Sequence, residues 1–163
     1  MFVIARALTY AALFIGLIFV YLPGQILSWT GIVRPALTGP PQIAGMIIGG
    51  VGAAIALWCV FTFAAIGKGT PAPFDPPRRL VIEGPYRFVR NPMYIGATLG
   101  LAGTAIFYGS LSLSIYTASF LLAAHLFVVV YEEPTLRKSF GAAYEAYCQR
   151  VRRWVPGRIR SAI

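Results

Sequence analysis

Two short polar clusters interrupt the apolar second half of the sequence, and they hold most of the residues that could do chemistry. They cover residues 84–96 and 125–134. In the first cluster, Asn91-Pro92 predicts the start of a helix, because asparagine is a favoured N-cap and proline a favoured first helical residue. The free N–H groups of such an N-terminus can also bind an anion, and Gly96 one turn later would allow close approach. The first cluster therefore predicts a site for a small carboxylate.

Adjacent carboxylates in the second cluster predict a partner of opposite charge. The apolar run before them places Glu132 and Glu133 at a helix C-terminus, where the helix dipole disfavours each negative charge by about 0.3–1 kcal/mol. Arg90 is one candidate, as an ion-pair partner. The other is a cationic cofactor whose amino group and hydroxyls need acceptors, and both can hold together. Arg90 could also hold an anionic substrate or a cofactor carboxylate.

His125 lies seven residues before Glu132, so on a regular helix both would project from nearly the same face. A neutral imidazole bonded to a neighbouring helix, a substrate contact and a role in proton removal are all open for it. It is the only histidine, and no histidine and cysteine cluster has the spacing of a metal site, so no metal is expected. Cys59 lies in an apolar run and Cys148 in the basic tail, which makes a disulfide between them unexpected.

The composition places the chain in a membrane. Of its 163 residues, 58% are hydrophobic and only 12% are charged, against about 25% in soluble proteins. The mean hydropathy is +0.71. The net charge of +9 could suggest nucleic acid, but long uncharged runs separate the basic residues. Anionic lipid headgroups are therefore the expected partner, and nucleic acid is not.

Four apolar segments are long enough to cross about 30 Å of hydrocarbon. The first covers residues 3–22, and a cleaved signal peptide is its less favoured alternative, since no small-residue cleavage pattern follows. The second covers residues 41–67, and its glycines would let another helix approach closely: Gly45, Gly49, Gly50 and Gly52. Residues 91–131 would be about 60 Å long as one helix, so we expect two spans with a turn near Gly109. That hairpin would bring the two polar clusters to one membrane surface.

The remaining segments are predicted to lie at the membrane surface. Residues 25–40 suit a short interfacial segment, and the proline-rich, basic residues 68–90 a long polar loop. From Glu132 onward, apolar residues recur every three or four positions, which predicts an amphipathic helix lying on the membrane. Its apolar face would carry Leu136, Phe140, Tyr144, Tyr147, Val151 and Trp154. Its other face would present Arg137, Lys138, Arg150, Arg152 and Arg153 to anionic headgroups.

The predicted fold is thus an all-α integral membrane protein with four transmembrane helices. The third and fourth form a tight hairpin, and a C-terminal amphipathic interfacial helix follows. If both termini face the cytoplasm, Arg34 is the only basic residue of the loops and termini left outside, so the positive-inside rule favours this orientation. The active site would then open to the cytoplasm.

The motif residues of both clusters resemble those of a known enzyme family. They are Leu80-Val81, Gly84-Pro85-Tyr86, Arg90-Asn91-Pro92-Met93-Tyr94-Ile95-Gly96, Glu132-Glu133, Leu136, Phe140-Gly141, Tyr144, Tyr147 and Val155-Pro156. In this pattern the sequence resembles the isoprenylcysteine carboxyl methyltransferase family, which is related to the membrane phospholipid methyltransferases. The resemblance covers residues 80–156. The clearest departure is Asn91, where the family has a histidine; asparagine cannot carry a proton near neutral pH.

The resemblance implies S-adenosylmethionine as cofactor and a lipid-like substrate that enters from the bilayer. Together with the residue arguments above, it gives a predicted cofactor-binding set of Leu80, Val81, Tyr86, Asn91, Pro92, Met93, Tyr94, Gly96, Glu132 and Glu133. Arg90 and His125 are the candidate catalytic residues. One methyltransferase domain would cover residues 1–163, with two variable spans in residues 1–67 and the cofactor-binding core in residues 68–163.

Two other functions are compatible with parts of the sequence. Membrane sterol reductases resemble this family over the same region and use a nicotinamide cofactor, but four spans leave little room for a sterol channel and a dinucleotide. A non-enzymatic scaffold would use the glycine-rich second span as an oligomer interface but leaves the two glutamates unexplained. The methyl acceptor, whether carboxyl, amine or thiol, and the oligomeric state stay open.

Overall fold

The computed structural model describes residues 15–33, 35, 38–62, 65 and 79–156. Regular structure in these ranges is helical, with no β-strand. Most of the first predicted span, residues 68–78 of the polar loop and the last seven residues lie outside them. The described part of the chain therefore agrees with the all-α prediction.

The first described helix extends further than predicted. A π-helical turn, Gly16–Tyr21, leads directly into α1, Leu22–Thr30. Pro23 is the second residue of α1 and directly follows the π turn. The helix ends at Gly31, whose left-handed φ of 66° suits a residue without a Cβ. Residues 25–30 of the predicted interfacial segment are therefore helical, and their location at the membrane surface stays a prediction.

Two helical runs are long and apolar enough to cross a membrane, judged by length and composition. One is α2, Pro40–Thr62, with 23 residues, and it lies within the second predicted span. The other is the continuous run Leu111–Phe140, which contains α4, Leu111–Phe127. Between them lies α3, Pro92–Tyr108, with 17 residues. Two candidate spans in the described residues thus support a membrane protein, and the count of four stays a prediction.

The predicted hairpin between the third and fourth helices is confirmed. Helix α3 ends at Tyr108 and α4 begins at Leu111, so the turn is two residues long. Gly109 adopts a left-handed φ of 59° and donates its N–H to Ile106 at 3.1 Å. The Ser110 hydroxyl then accepts the Leu113 N–H at 3.2 Å, which caps the new helix.

The chain divides into two compact units, residues 1–53 with 98–120, and residues 54–97 with 121–163. In the first unit, α2 and α3 approach through glycines, as the sequence predicts. A Cβ on Gly103 would lie 2.5 Å from the Gly45 oxygen and 2.5 Å from the Gly49 nitrogen. Gln42 adds a side-chain hydrogen bond of 3.1 Å to the Phe107 oxygen.

A groove of about 410 Å³ also lies in the first unit. It is lined by Gly45, Met46, Gly49, Gly50, Gly103, Thr104, Phe107 and Tyr108. None of the predicted catalytic or cofactor-binding residues is among them.

The C-terminal segment is not one amphipathic helix. A π-helical turn, Val128–Glu132, is followed by α5, Glu133–Phe140, and α6, Ala142–Arg150. Gly141 separates them with φ 50° and ψ −126°, a conformation that residues with a Cβ rarely adopt. Helix α6 ends at Val151, whose backbone is extended.

The apolar face of this segment packs inside the second unit. Tyr144, Tyr147 and Val151 form a buried core, and Leu80, Leu136, Phe140 and Cys148 pack against it. At these positions, the recurrence of apolar residues every three or four places therefore reflects burial inside the protein. The predicted placement of the segment on the membrane surface stays untested.

The two adjacent glutamates do not end a helix. The π turn Val128–Glu132 continues without a break into α5, so Glu132 and Glu133 lie within a helical run that reaches Phe140. The argument from an unfavourable dipole at a helix C-terminus is therefore wrong. The carboxylates need another explanation, and the contacts around them provide it.

The glycine crossing predicts an asymmetric response to alanine substitution. Gly103→Ala should destabilise the protein by about 1–3 kcal/mol, because its Cβ meets backbone atoms that cannot move aside. Gly50→Ala in α2 is the matched control, since no heavy atom lies within 4 Å of its Cβ. Thermal unfolding in detergent micelles would measure both. Equal melting temperatures for the two variants would contradict the close crossing.

Candidate active site

A short segment after α6 joins the two polar clusters, all within the second unit. We call residues 151–154 the closing segment. The Arg90 N–H donates to the Arg152 oxygen at 2.9 Å, and the Asn91 side-chain amide donates to the Arg153 oxygen at 3.2 Å. The Trp154 indole N–H donates to Nδ1 of His125 at 3.0 Å. The closing segment thus contacts the residues before α3 on one side and His125 on the other.

A buried carboxylate between two guanidinium groups holds this arrangement together. Glu133 is 5% exposed. Arg153 binds it in a bidentate manner, with Nε–Oε1 at 2.7 Å and Nη2–Oε2 at 2.9 Å. Arg90 adds an ion pair from Nη1 to Oε1 at 3.2 Å. The hydrogen bonds between Arg153 and Glu133 raise the pKa of the Arg153 guanidinium, which stays charged.

Arg153 is a site residue that the sequence did not reveal. The amphipathic pattern placed it on a face directed at headgroups, but the structure directs it at Glu133, 20 positions earlier. The predicted structural partner, Arg90, is confirmed as one of the two cations on Glu133. Only the chemical need of a buried carboxylate for a second cation could have pointed to Arg153.

The Arg90 guanidinium can make further polar interactions in addition to its ion pair with Glu133. Its side chain is 12% exposed, and Nη1 also lies 2.7 Å from the Cys148 sulfur. Its Nε is buried and has no hydrogen-bond partner among the described residues. Because two guanidiniums face one carboxylate, Glu133 leaves one positive charge of this network uncompensated. A buried donor and a surplus cation are the properties expected of an anion site.

Glu132 has a different environment from its neighbour. Its Oε2 accepts the Tyr94 hydroxyl at 3.0 Å, and the side chain is partly buried. No ion pair between described residues includes it. Glu133 is therefore neutralised by the protein, whereas Glu132 keeps acceptor capacity without a cation.

His125 and Trp154 form the other end of the cluster. Their rings lie 5.9 Å apart at 41°, and the Trp154 ring also meets Tyr94 edge-on at 6.4 Å. The π turn between His125 and Glu132 means that they no longer share one face of a regular α-helix. They are connected through Trp154 and Tyr94 instead. Trp154 was not predicted as a site residue, since its spacing indicated the apolar face of a membrane-bound helix.

The other predicted residues support this cluster from the loop and from the start of α3. Tyr86 lies in a 3₁₀ turn, Gly84–Arg87, and its backbone oxygen accepts the Tyr147 hydroxyl at 2.6 Å. Burial raises the pKa of the Tyr86 phenol. Leu80 packs against the tyrosine core, Val81, Pro92 and Gly96 are buried, and Met93 is half-buried. Pro92 is the first residue of α3, as predicted.

Gly84 and the free cysteines complete the site's surroundings. A Cβ on Gly84 would lie 2.5 Å from the Thr62 hydroxyl, and its φ is 56°, so this loop position requires glycine. Cys59 is buried and Cys148 partly buried, and the structure links neither in a disulfide. Within the described ranges, no group of three His, Cys, Asp or Glu side chains could hold a metal ion.

Comparisons with known proteins find related sequences. A family model described as phospholipid methyltransferase matches residues 40–143. Two curated rice proteins, from Oryza sativa subsp. indica and subsp. japonica, are each named "Probable protein-S-isoprenylcysteine O-methyltransferase". Each is 33% identical over 86 residues, which cover 51% of this chain and 44% of the rice protein. The chain thus spans less than half the length of these relatives. No solved structure matches.

The Glu133 network predicts a large loss of stability when its carboxylate is neutralised. Glu133→Gln leaves the largely buried Arg90 and the partly exposed Arg153 without their shared counter-charge, and we expect a loss of about 3 kcal/mol. The matched control is Glu145→Gln, whose ion pair with Arg137 is half-exposed and should contribute under about 1 kcal/mol. Thermal unfolding checks both. A Glu133→Gln variant as stable as Glu145→Gln would remove the central role of this network.

Proposed function

Because the chain belongs to the phospholipid methyltransferase family, we propose that it is a membrane methyltransferase that uses S-adenosylmethionine to methylate a lipid-like or isoprenoid substrate. The observation that carries the cofactor assignment is the contrast between Glu132 and Glu133. One carboxylate is neutralised by two arginines, and the other is held by Tyr94 without a cation. A positively charged ligand with hydroxyl groups would complete the environment of Glu132.

The donor set fits S-adenosylmethionine at both of its ends. The cofactor carries a sulfonium, an ammonium and ribose hydroxyls, for which Glu132 offers acceptor oxygens. It also carries a carboxylate, for which the buried Nε and surplus charge of Arg90 offer a donor. When bound, the cofactor supplies an electrophilic methyl group. The chain's own residues would bind it, orient it and exclude water.

The remaining chemistry depends on the acceptor group. Transfer to a carboxylate or thiolate needs mainly alignment and desolvation, whereas an ammonium must first lose a proton. His125 is the candidate that would contact the substrate, through the ring nitrogen that Trp154 does not use. The candidate catalytic residues are therefore Arg90 and His125. The candidate acceptors are a lipid headgroup and an isoprenoid carboxyl or thiol.

We propose the same membrane arrangement that the charge pattern favours. Helix α3 would be about 26 Å long at 1.5 Å per residue, close to the hydrocarbon thickness, and would join α2, α4 and an N-terminal helix as four spans. The basic residues favour a site and termini on the cytoplasmic side. A lipid-like substrate would reach the site from the bilayer, and basic tail residues such as Arg150 and Arg152 would contact anionic headgroups.

Cofactor binding should depend on Glu132. Glu132→Gln keeps the shape but removes the charge, so we expect S-adenosylmethionine to bind about tenfold to a hundredfold more weakly in titration calorimetry. Tyr94→Phe should have a smaller effect, because it removes the hydroxyl that holds Glu132 and leaves the carboxylate. Glu145→Gln serves as the charge-matched control. Unchanged affinity in Glu132→Gln, or heat from NADPH without heat from S-adenosylmethionine, would overturn the proposed cofactor.

Methyl transfer itself should be visible with a native lipid extract. We expect the wild-type protein to move label from radiolabelled S-adenosylmethionine into an extractable species. Base treatment separates the acceptor classes, because a methyl ester releases labelled methanol whereas an N-methyl or S-methyl group keeps its label. A protein that binds the cofactor but labels no lipid or isoprenoid would show that the substrate class is wrong.

A further inference from the structure

The Trp154 indole forms a hydrogen bond with the His125 ring. Its Nε1 lies 3.0 Å from Nδ1 of His125. An indole N–H can only donate, so Nδ1 must carry the lone pair that accepts it. A neutral imidazole has one N–H, and that proton must then lie on Nε2. The contact selects one of the two tautomers.

We propose that Trp154 is a positioning residue that holds His125 as the neutral tautomer with its proton on Nε2, so that the ring offers a hydrogen-bond donor to the ligand. The role towards a ligand rests on the proposed function; the tautomer does not. The proposal also distinguishes substrate contact from proton removal, two of the three roles considered for His125. A ring arranged in this way contacts the substrate, and it removes no proton.

The neighbours of Trp154 explain how it can hold a ring in place. The preceding residue, Arg153, is fixed through its side chain by Glu133 and through its backbone oxygen by Asn91. One residue earlier, the Arg152 oxygen accepts the Arg90 N–H. Trp154 therefore projects from a backbone that three hydrogen-bonding partners fix, which gives its indole little freedom.

The Trp154 ring also connects His125 to the acceptor side of the site. Its edge meets Tyr94, whose hydroxyl donates to Glu132. The four side chains thus form one sequence of contacts from an imidazole to a carboxylate. Within it, Nδ1 of His125 and Oε2 of Glu132 both act as acceptors for protein donors. Protonation of Nδ1 would break the Trp154 bond, so proton removal by this nitrogen conflicts with the arrangement.

The single histidine makes the tautomer directly measurable. The full chain would be labelled with ¹⁵N-histidine and studied in detergent micelles at about pH 8, above the ordinary pKa range of imidazoles in general. Ring NMR should show one species, with Nε2 protonated and Nδ1 unprotonated. A ring protonated on Nδ1, or an equal and rapidly exchanging mixture of tautomers, would overturn the proposal without any variant.

Substitution of the donor should release the ring. Trp154→Phe keeps an aromatic side chain but removes the N–H, so the preference for one tautomer should fall towards a mixture. Trp29→Phe is the control, because Trp29 is 82% exposed and lies in the first unit. An unchanged histidine spectrum in Trp154→Phe would overturn the positioning role. If this variant does not fold, the wild-type spectrum decides.

Labelled methyl transfer to the lipid extract tests the donor role. His125→Gln retains an N–H donor at similar reach, and His125→Phe does not. If His125 acts as a hydrogen-bond donor, methyl-transfer activity should fall about tenfold in His125→Phe and by less in His125→Gln. A proton-removing role predicts about a hundredfold loss or more in both, which would overturn the donor role. No transfer by the wild-type protein would refute the proposed function, while the ring spectrum would still decide the Trp154 interaction.

Discussion

The site depends on one buried carboxylate that two guanidinium groups share. Removing Glu133 from water is costly, and the bidentate Arg153 contact with the Arg90 ion pair offsets that cost only while both cations stay in place. One cation precedes α3 and the other belongs to the closing segment. Because the carboxylate needs both, it fixes two distant parts of the chain beside the same helical run, and Asn91 and Trp154 are positioned with them.

This constraint also separates the roles of two neighbouring residues of the same type. The charge of Glu133 is neutralised by arginines of the protein itself. Of the two glutamates, Glu132 is therefore the one that could bind a ligand. Tyr94 orients it without neutralising it, since a phenol hydroxyl contributes a hydrogen bond and no charge. Glu132 is partly buried, and a charge without a partner is less tolerated there than in open water. A cationic ligand would therefore gain most at Glu132.

Local signals in the sequence were sufficient for some elements and insufficient for others. The turn at Gly109, the start of α3 at Pro92 and the close approach at Gly45 follow from residue types that permit few other conformations. The tail was harder, because periodic apolar residues look the same whether they face lipid or the protein's own core. In the tail sequence, Gly141 was the residue that could have indicated a break between two helices. Contacts between residues far apart in sequence, such as Arg153 with Glu133, carry no local signal, and the family resemblance located the motifs without revealing their partners.

The π turn Val128–Glu132 makes the site sensitive to insertions and deletions of a single residue. Such a turn differs from an α-helical one by one extra residue, and each residue rotates an α-helix by about 100°. A homologue lacking one residue here would keep the same hydrophobic composition and the same glutamate pair. Its histidine and its carboxylates would nevertheless face different directions. A one-residue gap at this point of an alignment would therefore mark a change in the geometry of this cluster between family members.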